Sequence, residues 1–204
     1  MLPIGSWVLQ TACRQVRGWL DQGLALSGVS VNVSLCQLVR GDLADVVNAT
    51  LAETGIDASL LELELSERGV LRSDPEILRQ MHAIRALGVR LAIDDFGTGN
   101  SAVVYLKQFP IDVLKIDQSL VRGVAGSSED AAITSATIAM ARKLGLRVVA
   151  EGVERREQME FLRRNGCSEY QGFLFSPAVP PEAFAELLRA GLGDLSKRER
   201  SHES

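Results

Sequence analysis

The sequence predicts an α/β fold built on parallel strands, and three observations carry that prediction. Six short runs rich in Val, Ile and Leu, at residues 29–35, 60–65, 90–94, 113–117, 147–151 and 169–175, lack strict apolar–polar alternation, as buried parallel strands do. Amphipathic stretches with readable start and stop signals separate the runs. The runs end in acids, amides or an amine where neutral turn residues would be expected. Units of this kind in series fit either a layered α/β sheet or an incomplete (β/α)8 barrel. A doubly wound nucleotide-binding sheet loses ground, because neither GxGxxG nor GxxxxGK(S/T) occurs.

The elements follow in order. Residues 6–24 predict a helix with Trp7, Val8, Ala12, Val16, Trp19 and Leu20 on its apolar side. The first strand carries Asn32 within Val31-Asn32-Val33-Ser34, and the second runs into Glu64-Leu65-Ser66-Glu67. Asp74 can cap a helix opened by Pro75, whose apolar stripe is Ile77, Leu78, Met81, Ile84 and Leu87 and whose end is Gly88. The third strand ends in Asp94-Asp95, followed at once by the glycine-bearing loop Phe96-Gly97-Thr98-Gly99-Asn100-Ser101. Lys115 and Asp117 close the fourth strand. Ser128, with Glu129 and Asp130, opens a helix that ends at Gly145, and the repeat of helix end, glycine and strand start at 86–91 and 143–148 marks βα units. Glu151 ends the fifth strand with Glu154 just beyond, a helix spans 155–166, and Gln171-Gly172 lies in the sixth run.

Composition narrows the function. The chain has 204 residues, 46% of them hydrophobic, which is enough for one large domain with a sizeable core. The expected division is one domain over residues 1–190 and a charged, disordered tail over 191–204. A net charge of −4 argues against gripping a nucleic-acid polymer by bulk charge. Cys13, Cys36 and Cys167 are odd in number and widely spaced, so reduced thiols in the cytoplasm are expected. No apolar stretch is long enough for a membrane segment, and the first residues do not read as a signal peptide.

A single charged residue at one strand end is ordinarily a satisfied ion pair. Six successive strands carrying such residues is a different situation, because strand C-terminal ends converge on the face where these folds bind ligands. Converging carboxylates repel one another unless a cation or a proton neutralises them. With His82 and His202 the only histidines, hard oxygen-preferring ions such as Mg²⁺ or Mn²⁺ are the natural partners. Lys115 among these acids could stay charged and orient or deprotonate a water.

Taken together, Asn32-Val33-Ser34, Glu64-Leu65-Ser66-Glu67, Asp94-Asp95-Phe96-Gly97-Thr98-Gly99, Leu114-Lys115-Ile116-Asp117, Ala150-Glu151-Gly152-Val153-Glu154 and Gln171-Gly172-Phe173 resemble the ordered signature of EAL phosphodiesterase domains. The resemblance implies an incomplete TIM-like (β/α) barrel of about six parallel strands that lacks the first strands of the family fold. It implies hydrolysis of the bacterial second messenger cyclic di-GMP to linear pGpG by a two-metal mechanism with Mg²⁺ or Mn²⁺. By position, Asn32, Glu64 and Asp94 would ligate one ion, and Asp94 would bridge to a second held with Asp95 and Glu151. Lys115 would position or activate the attacking water. Glu67 would brace the loop that holds Gly97, Thr98 and Gly99, while Asp117, Glu154 and Gln171 would line the polar surround.

The same resemblance sets limits. The Glu-Ala/Val-Leu motif that names the family, with its metal-binding glutamate, does not occur before Asn32, and Asn100 stands where an aromatic is usual. The expectation is a truncated chain of low activity on its own, with an inactive EAL-like binding or interaction module as the alternative. Barrel enzymes that stabilise enolates on Mg²⁺ are a third class, disfavoured by the paired aspartates and Gln171-Gly172. A homodimer, and an upstream sensor or diguanylate cyclase domain, are the expected partners besides cyclic di-GMP.

Overall fold

The structure is a computed structural model that describes residues 2–40, 42–67, 75–97 and 106–190. Among these residues six strands form one parallel sheet in sequential order: β1 (Val29–Val33), β2 (Leu61–Ser66), β3 (Arg90–Phe96), β4 (Val113–Ile116), β5 (Arg147–Ala150) and β6 (Glu169–Tyr170). Helix α1 (Leu2–Asp21) precedes the sheet, α2 (Leu35–Val39) and α3 (Leu43–Thr54) join β1 to β2, and α4 (Pro75–Ala86) leads into β3. Between β4 and β5 lie α5 (Gln118–Gly123) and α6 (Ser128–Lys143), then α7 (Arg156–Arg164) reaches β6 and α8 (Pro181–Ala190) follows. The sheet curls into an incomplete barrel, as the sequence predicts.

Side chains alternate between the two faces of each strand. Leu61, Leu63 and Leu65 of β2, Leu91 and Ile93 of β3, and Leu114 and Ile116 of β4 face the helices. They form the main apolar cluster with Val148, Ile77, Met81 and Ile84. The inner face instead carries Glu62 and Glu64, Ala92 and Asp94, Val113 and Lys115, and Arg147 and Val149. Hence every residue of β4 is buried although its inner face is not apolar throughout.

Several boundaries differ from expectation, each for a local reason. Leu35 begins α2 rather than ending β1, Leu60 closes a short 3-10 turn, and Asp117 leaves β4 to cap α5. β6 stops at Tyr170, because the chain turns there and Gln171 O accepts from the Val153 N–H at 3.0 Å. Helix α6 opens at Ser128 as expected, capped by Ser127, whose hydroxyl accepts from the Asp130 N–H at 3.1 Å, but it ends at Lys143, short of Gly145. In α1 the buried face is Leu9, Cys13 and Val16, while Trp7 is 62% exposed. Two positions along a helix is slightly more than half a turn, so Trp7 points almost opposite to Leu9. Packing of α1 against α3 and β1 selects the Leu9 side. Asp74, residues 98–101, the tail over 191–204 and His202 lie outside the described residues.

Candidate active site

The strand C-terminal ends bring the acids together around one amine. Lys115 Nζ lies 2.7 Å from Glu64 Oε1, 2.6 Å from Glu151 Oε1 and 3.4 Å from Asp94 Oδ1. Lys115 and Glu64 are buried, Asp94 and Glu151 half-buried, and Asp95 is exposed. Burial alone would lower the Lys115 pKa. Hydrogen bonds and charge from Glu151 and Glu64 outweigh it and hold the ammonium well above its ordinary value. Glu151 is pushed upward, first by burial, with Asp94 and Glu64 adding repulsion that Lys115 offsets in part. Lys115 therefore does not neutralise the group completely.

A bulge lets adjacent aspartates serve one place. Ile93 pairs with Leu114 and Phe96 with Ile116, so β3 spends three steps where β4 spends two. Asp95 absorbs the extra residue at a φ of 57°, the left-handed region that aspartate tolerates better than most residues. Carboxylate oxygens of Asp94, Asp95 and Glu151 consequently all lie within 4.8 Å of one another.

The other expected residues surround this group at different removes. Asn32 pairs in register with Glu64 at the β1 edge and is exposed. Glu67 is buried, and its Oε2 accepts from the Gly97 N–H at 3.1 Å while its Oε1 has no hydrogen-bond partner among the described residues. Gly97 adopts a φ of 102°, where any other residue would be strained, and a Cβ there would also displace Leu120 Cδ1, 2.5 Å away. Thr98 and Gly99 lie outside the described residues. Asp117 accepts from the Ser119 N–H at 2.8 Å as the cap of α5. Asp95, Asp117, Glu151, Glu154 and Gln171 line one cleft of about 290 Å³, together with Gln118, Gly152, Gly172 and Phe173. Sequence reasoning assigned no role to those last four. Gln118 and Gly152 directly follow Asp117 and Glu151, so the position after each strand-end acid was the available signal. Phe173 is 70% exposed at the cleft, an unusual placement for a large aromatic.

The donor set suits a divalent ion. Asp94, Asp95 and Glu151 offer hard oxygen ligands at one point, and Glu151 keeps a repulsive environment that a cation would relieve. Glu64 is drawn to Lys115 and stands outside that three-acid group.

Comparison with known proteins agrees with this geometry. The family model for the EAL domain matches residues 1–178, and the chain belongs to the EAL domain family. It is 44% identical over 182 residues to the bifunctional diguanylate cyclase/cyclic di-GMP phosphodiesterase MucR of Pseudomonas aeruginosa, covering 89% of this chain and 27% of MucR. The solved PaMucR phosphodiesterase in complex with c-di-GMP superposes with a TM-score of 0.85 at 44% identity, covering 90% of this chain and 74% of that one. The manganese/cy-diGMP complex of Klebsiella pneumoniae BlrP1 gives a TM-score of 0.74 at 30% identity, covering 86% and 44%. The chain spans about a quarter of the length of the curated relatives it matches. Solved complexes of BlrP1 contain calcium or manganese together with cy-diGMP, and divalent-metal use is a property of the family.

Proposed function

We propose that this chain acts on cyclic di-GMP, as a phosphodiesterase domain that opens the cyclic dinucleotide to linear pGpG at the C-terminal end of the sheet. One observation carries the reading: Glu64, Asp94 and Glu151 converge on Lys115 with Asp95 alongside. A phosphodiester is itself anionic, so this acidic face repels it until a cation is held there. Mg²⁺ or Mn²⁺ bound by these acids would supply Lewis acidity and charge neutralisation for in-line displacement at phosphorus. Asp94, Asp95 and Glu151 would hold one ion, and Asn32, Glu64 and the shared Asp94 another. Lys115, held charged between Glu64 and Glu151 in the metal-free chain, would position or activate the incoming water. Glu67 would hold the backbone at Gly97, with Thr98 and Gly99 in the same loop, while Asp117, Glu154 and Gln171 supply the polar wall.

We assign α8 to this domain, hence residues 1–190, because Phe184 meets Trp19 of α1 with ring centroids 5.1 Å apart. No helix among the described residues is long and apolar enough to cross a membrane. A cytoplasmic setting, a homodimer, and a sensor or diguanylate cyclase domain in a longer parent complete the proposal.

Calorimetric binding and chromatographic separation of products test it. Cyclic di-GMP should bind only with Mg²⁺ or Mn²⁺ present, Asp94→Ala should abolish binding, and linear dinucleotide should accumulate. Equal binding without metal, or in the Asp94→Ala variant, would overturn the reading. A second reading, binding without turnover, applies if Glu64 stays paired with Lys115 and does not join the acids that would hold a cation. Metal-dependent binding with no linear product would select it.

A further inference from the structure

Below the active-site layer, toward the N-terminal ends of the same strands, the inner face carries a second set of polar groups. Ser30, Glu62, Arg90, Arg147 and Glu169 lie two or four residues upstream of Asn32, Glu64, Asp94, Glu151 and Gln171, and so share their face. Barrel interiors are ordinarily filled at this level by Val, Ile and Leu. Here Glu62, buried, accepts from Arg147 Nη2 at 2.7 Å and from the Ser30 hydroxyl at 3.0 Å. Arg90 Nε lies 3.7 Å from the same carboxylate, and Arg90 Nη2 donates to Ser27 O at 3.3 Å. On the other side Arg147 Nη1 donates to both Glu169 oxygens, at 3.1 and 3.0 Å.

The position of the central pair gives it its importance. β2 and β5 are not neighbours, since β3 and β4 lie between them. A bond from Glu62 to Arg147 is therefore a chord across the curled sheet, and its length constrains the curl. Ala92, Val113 and Val149 share the inner face with this chord and with the acids above it. Two residues beyond Glu62 comes Glu64, and four beyond Arg147 comes Glu151, the two acids that grip Lys115 from opposite sides.

We propose that Glu62 and Arg147 are positioning residues whose ion pair sets the separation of Glu64 and Glu151, and with it the width of the site open to a cation and a phosphodiester. The part concerning ligand width rests on the function proposed above; the part concerning the curl of the sheet does not. Loss of Arg147 alone would leave the buried Glu62 carboxylate without its shortest ion pair, so the informative variant removes both, Glu62→Gln with Arg147→Met.

The test joins two readouts. Spin labels at Ser59→Cys and Lys143→Cys, exposed positions shortly before β2 and β5, report the distance across the sheet without any metal, in a Cys36→Ser background that removes the exposed thiol. Mn²⁺ titration reports the site. The double variant should fold cooperatively, shift or broaden the label distance, and bind Mn²⁺ about tenfold more weakly, the scale on which supporting residues act on metal sites. Glu62→Asp, which keeps the charge on a side chain one methylene shorter, should keep Mn²⁺ affinity closer to the unsubstituted chain than the double variant does.

An unchanged distance overturns the proposal, as does a changed distance with unchanged Mn²⁺ affinity. If the wild-type chain binds no Mn²⁺, the proposed function fails, and the label distance alone decides whether the chord sets the curl. Should the double variant not fold, Arg147→Lys, which loses the two-sided grip on Glu62 and Glu169, is read by the same criteria with a smaller shift expected.

Discussion

The inner face of the sheet holds two charged layers one above the other, and they differ in how their charges balance. In the lower layer Glu62 and Glu169 stand against Arg90 and Arg147, two acids with two bases, joined by hydrogen bonds of 2.7 to 3.1 Å around Arg147. In the upper layer Glu64, Asp94 and Glu151 share Lys115, with Asp95 close by. Both layers are built on the same strands, and although the lower one is more exposed around Arg147 and Glu169, exposure alone does not tell a structural network from a binding site. The sign count does. A structural network closes on itself, whereas a layer with surplus acid is complete only when something positive arrives; there the Glu151 carboxyl is lifted first by burial and then by repulsion from Asp94 and Glu64.

The sharpest way to break the comparison is to remove the one amine from the upper layer. Lys115→Met leaves Glu64, Asp94 and Glu151 facing one another without a countercharge, and the expected loss is about 3–5 kcal/mol of unfolding free energy, measured by urea titration. The sign follows from the raised pKa of Lys115. Its contribution is fully present below its ordinary value of 10.5 and disappears only as pH rises through the higher folded value, so neutral pH shows the whole effect. Added Mn²⁺ should recover part of the loss. A cost no larger than that of a surface substitution, about 0.5 kcal/mol, would mean that the upper acids are not held under repulsion.

Mn²⁺ itself is the next largest lever. A ligand present at a hundred times its dissociation constant stabilises the folded state by about 2.7 kcal/mol, which appears as a higher thermal midpoint. Asp94→Ala should cancel that rise, because Asp94 reaches both Lys115 and the three-acid group. A rise that survives the substitution would place the ion elsewhere.

The upper layer was legible in the sequence and the lower one was not, for a physical reason. Asn32, Glu64, Asp94, Lys115 and Glu151 end or nearly end apolar runs, where a polar residue stands out against a strand that should finish in a turn. Glu62, Arg90, Arg147 and Glu169 sit within or at the start of strands, where a lone charge reads as exposure. Only the curl shows that β2 and β5 face each other across an interior. The same gap explains α1. Trp7 and Val8 are more hydrophobic than Cys13, yet the face that packs is chosen by α3 and β1, which no pattern within one helix reveals. The paired aspartates announced a site, but the left-handed turn at Asp95 that lets both serve it depends on the register of β3 against β4.

The smallest expected effect tests the surplus directly. Burial lifts the Glu151 carboxyl above its ordinary value of 4.5, so the folded chain holds this proton more tightly than the unfolded chain does. Ionisation of Glu151 therefore opposes folding. Stability of the metal-free protein should rise as pH falls from neutrality through the elevated value, and the gain should be complete below 4.5, where both states are protonated. Glu151→Gln should remove this slope and raise stability at neutral pH by on the order of 1 kcal/mol or less. Saturating Mn²⁺ should reverse the slope in the unsubstituted chain, because the ionised carboxylate is the form that holds the cation, so acid then releases the ion and its stabilisation. Urea midpoints at neutral and mildly acidic pH, with and without Mn²⁺, measure all of this. A slope that persists in Glu151→Gln would assign the proton to another group and leave the upper layer with less surplus charge than its geometry implies.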